Sequence, residues 1–86
     1  MQLKDTIPLM KSDNYKERFQ AEYYQLKNRT GKLMAMLDQW DKGVLPFTPT
    51  CPRILLDDQL KCMIKYLAVL SLRAQLEGID LKEEED

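Results

Sequence analysis

The chain has 86 residues, with 13 Lys and Arg against 14 Asp and Glu and a formal net charge of −1. With 44% apolar and 31% charged residues, this composition is typical of one small folded domain and argues against a disordered polymer or a membrane protein. Because the chain has no His, catalytic triads and zinc sites built on imidazole are excluded, and the nearly balanced charge argues against a protein that coats nucleic-acid phosphates.

The cysteines and the N-terminal residues indicate in which cellular compartment the protein works and whether it binds a metal. Cys51 and Cys62 have a spacing that matches no zinc or redox signature, so we expect free thiols. Lys4 and Asp5 near the N-terminus are unlike a signal peptide, and no window approaches the run of about 18 apolar residues that a membrane span needs. We therefore expect a cytoplasmic protein without a metal site, a cofactor or a membrane association.

The first long helix is predicted over residues 13–41, after an N-terminal arm of residues 1–11. Ser12 or Asp13 is the expected N-cap, and Gly43 should end the helix. The apolar and small residues of this helix recur in steps of four and three, as in a coiled coil: Phe19, Tyr23, Leu26, Thr30, Leu33, Leu37 and Trp40. This pattern predicts packing along another long helix.

A turn-rich connection, residues 42–51, leads to a second predicted helix over residues 52–77, which begins at a proline. The seam of this second helix has the same spacing: Leu56, Leu60, Met63, Leu67, Leu70 and Ala74. Because the two seams match in length, we predict an all-α fold, a long antiparallel helical hairpin of residues 12–78. Residues 79–86 follow as an acidic, solvated tail.

The connection contains three residues, Val44, Leu45 and Phe47, that are too apolar for an ordinary linker. We expect them to cover the end of the protein's own helix pair. Contact with a partner is the alternative.

The second helix has more apolar surface than one neighbouring helix can cover. Beside its seam, Ile64, Ala68 and Leu72 form a second stripe, and a helix that is apolar most of the way round is normally surrounded. Since the chain is short and lacks disulfide and metal signatures, association of copies is the remaining route to cover this stripe. We therefore predict a homo-oligomer built through this helix, with coverage of the stripe by the arm as the alternative.

Polar residues that border the two seams form the candidate ligand-binding site. Its members are Tyr15, Arg18, Arg29, Lys32, Tyr66 and Arg73. If two copies of this border face each other, their cations and Tyr rings converge in a groove that suits a phosphate or carboxylate ligand with a planar part. The alternative is a set of structural salt bridges, such as one between Arg18 and Glu22, that fixes the helix register.

Two groups of residues carry a resemblance to a known family. They are Asp13-Asn14-Tyr15-Lys16-Glu17-Arg18 with Glu22 and Leu26, and Gln59, Met63, Tyr66, Leu70 and Arg73. Over residues 13–76 the chain resembles small helical proteins of tailed phages and prophages that are grouped with a crAss-like phage protein. The Pro49-Thr50-Cys51-Pro52 junction is similar to that of the Clostridia-type prophage members. The resemblance implies a phage accessory protein with a helical hairpin, a type that often counters host defences, and it supplies no catalytic residue.

Three hypotheses for the function remain open. The first is a non-enzymatic antagonist of bacterial immunity that sequesters a nucleotide-type signal in the host cytoplasm. The second is an inhibitor of a host enzyme, of anti-CRISPR or host-takeover type, that binds through the stripe of Ile64, Ala68 and Leu72 or through the Val44, Leu45 and Phe47 loop. The third is a structural or assembly helper. An enzyme is not expected, because no paired carboxylate motif accompanies the acids and lysines.

Overall fold

The computed structural model describes residues 1–82, which form helices joined by turns and contain no strand. A 3₁₀ turn at Leu3–Thr6 continues into the short helix α1, Ile7–Met10. Two long helices follow, α2 at Tyr15–Asp41 and α3 at Arg53–Glu77. The prediction of an all-α fold with a long hairpin is confirmed, and residues 83–86 of the predicted acidic tail lie outside the described residues.

Side chains clamp the hairpin at both ends, and these contacts show that the two helices are antiparallel. The Tyr15 hydroxyl in the first turn of α2 donates to Glu77 Oε1 in the last turn of α3 at 2.7 Å. At the other end, Arg53 Nη1 donates to Asp41 Oδ1 at 2.7 Å. The guanidinium of Arg53 also lies over the Trp40 ring, 5.3 Å from its centroid, where the negative face of the ring attracts a cation.

The C-terminal ends of the helices lie where the glycines predict them, but the N-cap of α2 differs from the prediction. The N-cap of α2 is Asn14, whose side chain accepts from the backbone N–H of Lys16, and not Ser12 or Asp13. The reason is a local turn before the helix. Ser12 Oγ accepts from the backbone N–H of Asn14 at 3.0 Å, so it does not cap the N–H groups of the first turn of α2. Gly43 follows the end of α2 with a φ of 72°, in the left-handed region that glycine adopts without strain.

The hydrophobic core follows both predicted seams. Every seam residue of the two helices is buried or half-buried, and the fully enclosed members are Phe19, Tyr23, Thr30, Leu37, Leu70 and Ala74. This agreement reflects helical geometry, because steps of four and three keep side chains on one face of each helix. The core is therefore a single layer between two helices, and the remaining faces of α2 and α3 need other cover.

The N-terminal arm supplies that cover for α2 and not for α3. The backbones of the 3₁₀ turn and of α1 both lie close to α2, and neither lies close to that of α3. Gln25 Nε2 of α2 donates to Thr6 Oγ1 at 2.8 Å, and Asn28 Nδ2 donates to the backbone oxygen of Met1 at 3.2 Å. The alternative in which the arm covers the α3 stripe is therefore wrong, because polar side chains of α2 bind the arm's own polar groups.

Residues 79–82 also pack on α2, which corrects the predicted start of the solvated tail. Gly78 adopts the left-handed conformation and turns the chain back, so that the backbone N–H of Ile79 donates to Ala74 O at 2.8 Å. Ile79 is buried in the core as a result. The backbone N–H of Lys82 then donates to the Tyr24 hydroxyl at 2.8 Å, which fixes this segment along α2.

The connection between the helices is only partly folded back. Leu45 and Phe47 line a small cavity of about 180 Å³ together with Trp40 and Pro49. Val44 and Phe47 nevertheless remain more than half exposed, at 64% and 55%. Leu45 is half-buried, as expected of a residue that covers the helix end, while the side chains of Val44 and Phe47 stay largely exposed.

Candidate functional site

The site predicted from the sequence lies along one border between α2 and α3, which we call the polar edge. It comprises Tyr15, Arg18, Glu22 and Arg29 of α2 with Tyr66, Arg73 and Glu77 of α3. Two sets of side-chain contacts join α2 to α3 along this edge, and we call each set a rung. In the first rung, Arg73 Nη2 donates to the Tyr15 hydroxyl at 2.9 Å and Arg73 Nε donates to Glu77 Oε2 at 3.1 Å. The same guanidinium lies 5.0 Å from the centroid of the Phe19 ring, which holds it against the end of the core.

This first rung shifts the pKa values of its members. The hydrogen bond from Tyr15 and the adjacent guanidinium of Arg73 lower the pKa of Glu77 below its ordinary value. The same bond to Glu77 raises the pKa of Tyr15, because the phenol donates its proton to a carboxylate. Both groups therefore keep their ordinary charge states at neutral pH, with a neutral phenol beside a carboxylate.

A second rung lies one heptad away, where the Tyr66 hydroxyl donates to Glu22 Oε2. Arg18 does not pair with Glu22, and its Nη1 donates instead to the backbone oxygen of Ser12 at 2.8 Å. The predicted Arg18–Glu22 salt bridge is therefore wrong, because each group has a nearer partner outside its own helix. At 1.5 Å per residue, the two rungs are about 10 Å apart along α3.

Two of the predicted ligand-binding cations, Arg29 and Lys32, take no part in these two rungs. Arg29 lies one heptad after Glu22 on the same face, is exposed, and has no polar partner within residues 1–82. Lys32 does not lie on the polar edge, and it lines a groove on another face of α2. The reason is geometric, since a straight helix drifts by roughly 20° per heptad and Lys32 comes two heptads after Arg18.

This groove was missed by the sequence analysis. It has a volume of about 530 Å³ and is lined by Met1, Tyr24, Lys27, Asn28, Thr30, Gly31, Lys32, Met34, Ala35, Leu67 and Lys82. A signal for it exists in the sequence, because Tyr24, Asn28, Gly31 and Ala35 form a second row with steps of four, three and four. The middle of this row consists of the polar Asn28 and of Gly31, which lack the large apolar side chains of the seam.

The apolar faces of α3 remain uncovered within the described chain. Ile64 and Leu72 are 48% and 61% exposed, and Ala68 between them is exposed as well. On the opposite side of the α3 seam, next to Tyr66 and Arg73, a further exposed row consists of Leu55, Cys62, Val69 and Leu76. The polar edge is thus bordered on α3 by this second row, which is apolar surface of the kind that marks protein contacts.

The described residues form neither a metal site nor a membrane-spanning helix. Within residues 1–82, no group of three or more acidic or Cys side chains could hold a metal ion. None of the helices there has the length and apolar content needed to cross a bilayer. Cys51 is half-buried, Cys62 is exposed, and both are free thiols.

Comparison with known proteins gives one family. A family model described as Sequestin matches residues 13–76, a range that includes α2, the connection and nearly all of α3. No curated protein and no solved structure matches the chain. The matched range contains the whole polar edge except Glu77, and all of the α2 residues that line the groove.

Proposed function

The chain belongs to the Sequestin family, and from this premise we propose that it binds a small nucleotide-type molecule and holds it without chemical change. The family name is consistent with sequestration of a molecule. The nucleotide class is argued from the residues of the polar edge. A protein of this kind acts by lowering the free concentration of its ligand, so it needs affinity and stoichiometry and no catalytic group.

This proposal rests on one observation: aromatic rings alternate with guanidinium groups along the polar edge. The rings of Tyr15 and Tyr66 are each nearly half exposed and lie beside Arg73 and Glu22 respectively. Phenol rings stack on bases, and guanidinium groups bind phosphate through paired N–H donors. Arg29 adds a charge that no described carboxylate neutralises.

The polar edge is an open surface in one chain, so we propose that a second copy completes the site. The exposed rows on α3 supply a reason for copies to associate, since burial of such side chains contributes roughly 25 cal/mol per Å². An interface through Val69 and its row would place apolar contacts directly beside the cations, whereas Ile64, Ala68 and Leu72 lie on the other side of the α3 seam. A phosphate there would be partly shielded from water, which strengthens its ion pairs.

The setting that fits these properties is the host cytoplasm, where we propose that the protein serves a phage by removing a nucleotide signal of bacterial immunity. The sequence resemblance to phage proteins supports this role. The absence of an activated nucleophile on the polar edge fits binding better than turnover, because its Tyr and Glu side chains keep their ordinary charge states at neutral pH.

A protein-directed inhibitor is the second candidate, and a specific observation favours it. The exposed stripe of α3 and the exposed side chains of Val44 and Phe47 are surfaces that a host enzyme could occupy. A structural or assembly helper would use the same surfaces. Both alternatives predict a stoichiometric protein partner and no affinity for nucleotides.

Isothermal titration against a panel of cyclic and ADP-ribose-derived nucleotides tests the proposal. At least one member should bind, and Arg29→Ala should weaken that binding by at least about tenfold while the melting temperature stays unchanged, because Arg29 has no polar partner to lose within residues 1–82. Lys61→Ala is the matched control, since Lys61 is an exposed cation of α3 away from the polar edge. Absence of heat with every nucleotide would contradict the proposal.

A further inference from the structure

Helix α3 carries a second coiled-coil pattern on its exposed side, which we call the outer seam. Its apolar members are all exposed: Leu55, Cys62, Val69, Leu72 and Leu76. Asp58 and Lys65 complete the series, so that the steps from 55 to 76 alternate between three and four, as they do in the core seam. Within residues 1–82, α2 covers the core seam and no element covers the outer seam.

Two charges of opposite sign interrupt the outer seam. Asp58 and Lys65 are one heptad apart, are exposed, and have no polar partner within residues 1–82. In a parallel two-fold pair of α3 helices, each of these charges would face its own counterpart, and like charges repel. In an antiparallel pair, each Asp58 lies opposite Lys65 of the second copy, which gives two ion pairs. The charge pattern therefore fits a second copy of this chain in the antiparallel orientation.

The same charges set the register of the pair. When Asp58 lies opposite Lys65 of the second copy, the two-fold axis passes midway between them, at positions 61 and 62. Complete overlap of the two outer seams would instead bring the two Lys65 side chains together near the axis. In the register with ion pairs, Cys62 of each copy lies beside the axis, with the two Cα atoms within about 10 Å, because packed helix axes are about 8–10 Å apart.

The orientation also decides where the two polar edges lie. Tyr66 and Arg73 each come four residues after a member of the outer seam, so they border it on one side, and Lys61 borders it on the other side. The two-fold axis of an antiparallel pair is perpendicular to the helices and keeps equivalent borders on the same face of the assembly. A parallel pair places them on opposite faces. The antiparallel pair therefore presents both polar edges on one face.

We propose that two copies pair antiparallel along the outer seam and that each contributes Gln59 to the polar edge of the other. In the register with ion pairs, Gln59 of the second copy lies on the same face as Tyr66, displaced by about 3 Å along the helix axis. Gln59 is exposed, and its Nε2 contacts the sulfur of Met63 at 3.7 Å, which is a weak acceptor. Its amide is thus free to bind a ligand that stacks on Tyr66. The ligand part of this inference rests on the proposed function, whereas the pairing of copies does not.

Two measurements test the pairing itself. Oxidation of the original chain with copper phenanthroline should link two copies through Cys62, so that Cys51→Ser keeps the covalent pair and Cys62→Ser loses it. Spin labels at Gln75→Cys, in a chain with both native cysteines replaced by Ser, report the orientation. An antiparallel pair should give a distance of roughly 40 Å, and a parallel pair about 20 Å or less. A monomer, the short distance, or no link through Cys62 would overturn the pairing.

A charge exchange tests the ion pairs. Asp58→Lys places like charges opposite each other and should raise the dissociation constant of the pair by at least about tenfold, as measured by analytical ultracentrifugation. The double variant Asp58→Lys/Lys65→Asp restores opposite charges and should recover the pairing. Asp38→Lys is the matched control, since it makes the same change of charge at an exposed position of α2. Asp58→Asn keeps an acceptor for Lys65 and should remain paired. A double variant that stays as weak as Asp58→Lys would contradict the register.

Nucleotide binding by these variants separates the shared site from the proposed function. Gln59→Ala should weaken binding by about tenfold without a change in the pairing, because it removes an amide that contacts the ligand. Asp58→Lys should lose binding together with pairing, and the double variant should regain both. Full binding by an unpaired chain would overturn the shared site and leave the proposed function standing. Antiparallel pairs that bind no nucleotide of the panel would overturn the proposed function and the ligand part, and would leave the pairing standing.

Discussion

Tyr15 and Glu77 are 62 residues apart in the sequence, and the phenol of the first donates to the carboxylate of the second at 2.7 Å. This bond joins the start of α2 to the end of α3. Arg73 binds both groups, so one guanidinium, one phenol and one carboxylate close the hairpin on the side of the polar edge. The rung therefore links the stability of the fold to the geometry of the candidate ligand site.

The first prediction concerns acid stability. Tyr15 and then Arg73 hold the pKa of Glu77 below its ordinary value of 4.5, so the folded carboxyl binds a proton less readily than the unfolded one. The resulting stabilisation is present above pH 4.5 and is lost as the pH falls through the lower folded value. Glu77→Gln should therefore lose less stability than the original chain between pH 6 and pH 3, as measured by urea denaturation.

The matched control for this change is Asp58→Asn, since Asp58 is an exposed carboxyl of α3 without a polar partner within residues 1–82. It should retain the acid sensitivity of the original chain. Some sensitivity should also persist in Glu77→Gln, because Arg53 lowers the pKa of Asp41 at the other end of the hairpin. An identical acid loss in Glu77→Gln and the original chain would contradict the role of the rung.

The second prediction compares two leucines of α3. Leu70 is 0% exposed and lies in the core, whereas Leu76 is 88% exposed. Leu70→Ala should lower the free energy of unfolding by about 2–5 kcal/mol, through lost burial and the cavity left behind. Leu76→Ala should change it by less than about 0.5 kcal/mol. Similar costs in urea denaturation would show that the core lies elsewhere.

The third prediction concerns two glycines. Gly31→Ala should raise the free energy of unfolding by up to about 1 kcal/mol, since its Cβ meets open space and alanine favours a helix interior. Gly78→Ala should lower it by about 1 kcal/mol or more, because Gly78 has a φ of 69° in the left-handed region. Thermal denaturation followed by circular dichroism measures both, and a destabilised Gly31→Ala would mean that the groove is not open.

The fourth prediction concerns association. The exposed stripe of α3 should bring copies together, so light scattering after size exclusion should give a multiple of the 10.1 kDa chain mass at micromolar concentration. Leu72→Asp should reduce the mass, because a carboxylate would be buried in an apolar contact. Asp58→Asn leaves the stripe intact and should keep the larger mass. A monomer of the original chain would remove the basis for a shared site.

Much of the fold could be predicted from the sequence because its signals are local. The spacing of Phe19, Tyr23 and Leu26 sets a helix face, and Gly43 and Gly78 mark helix ends by their conformation. The position of the arm could not be predicted, since its apolar residues fit either helix. The choice depends on Gln25 of α2, which binds Thr6, and a polar contact of this kind has no periodic signature.

The candidate site was predicted in part. Tyr15, Tyr66 and Arg73 share the polar edge because they follow the seams closely, but a heptad pattern accumulates angular error along a straight helix, and Lys32 consequently lies in the groove. The groove itself depends on residues from both ends of the described chain, Met1 and Lys82, whose approach to α2 no local pattern encodes.

Sequestration differs from turnover and from protein inhibition in what can be recovered from the complex. The protein is incubated with the nucleotide that binds best in the panel, separated from free ligand, denatured, and its released content is measured by liquid chromatography. The account predicts that the nucleotide is recovered chemically unchanged and in fixed proportion to the chain. A converted product, or no retained nucleotide, would contradict it.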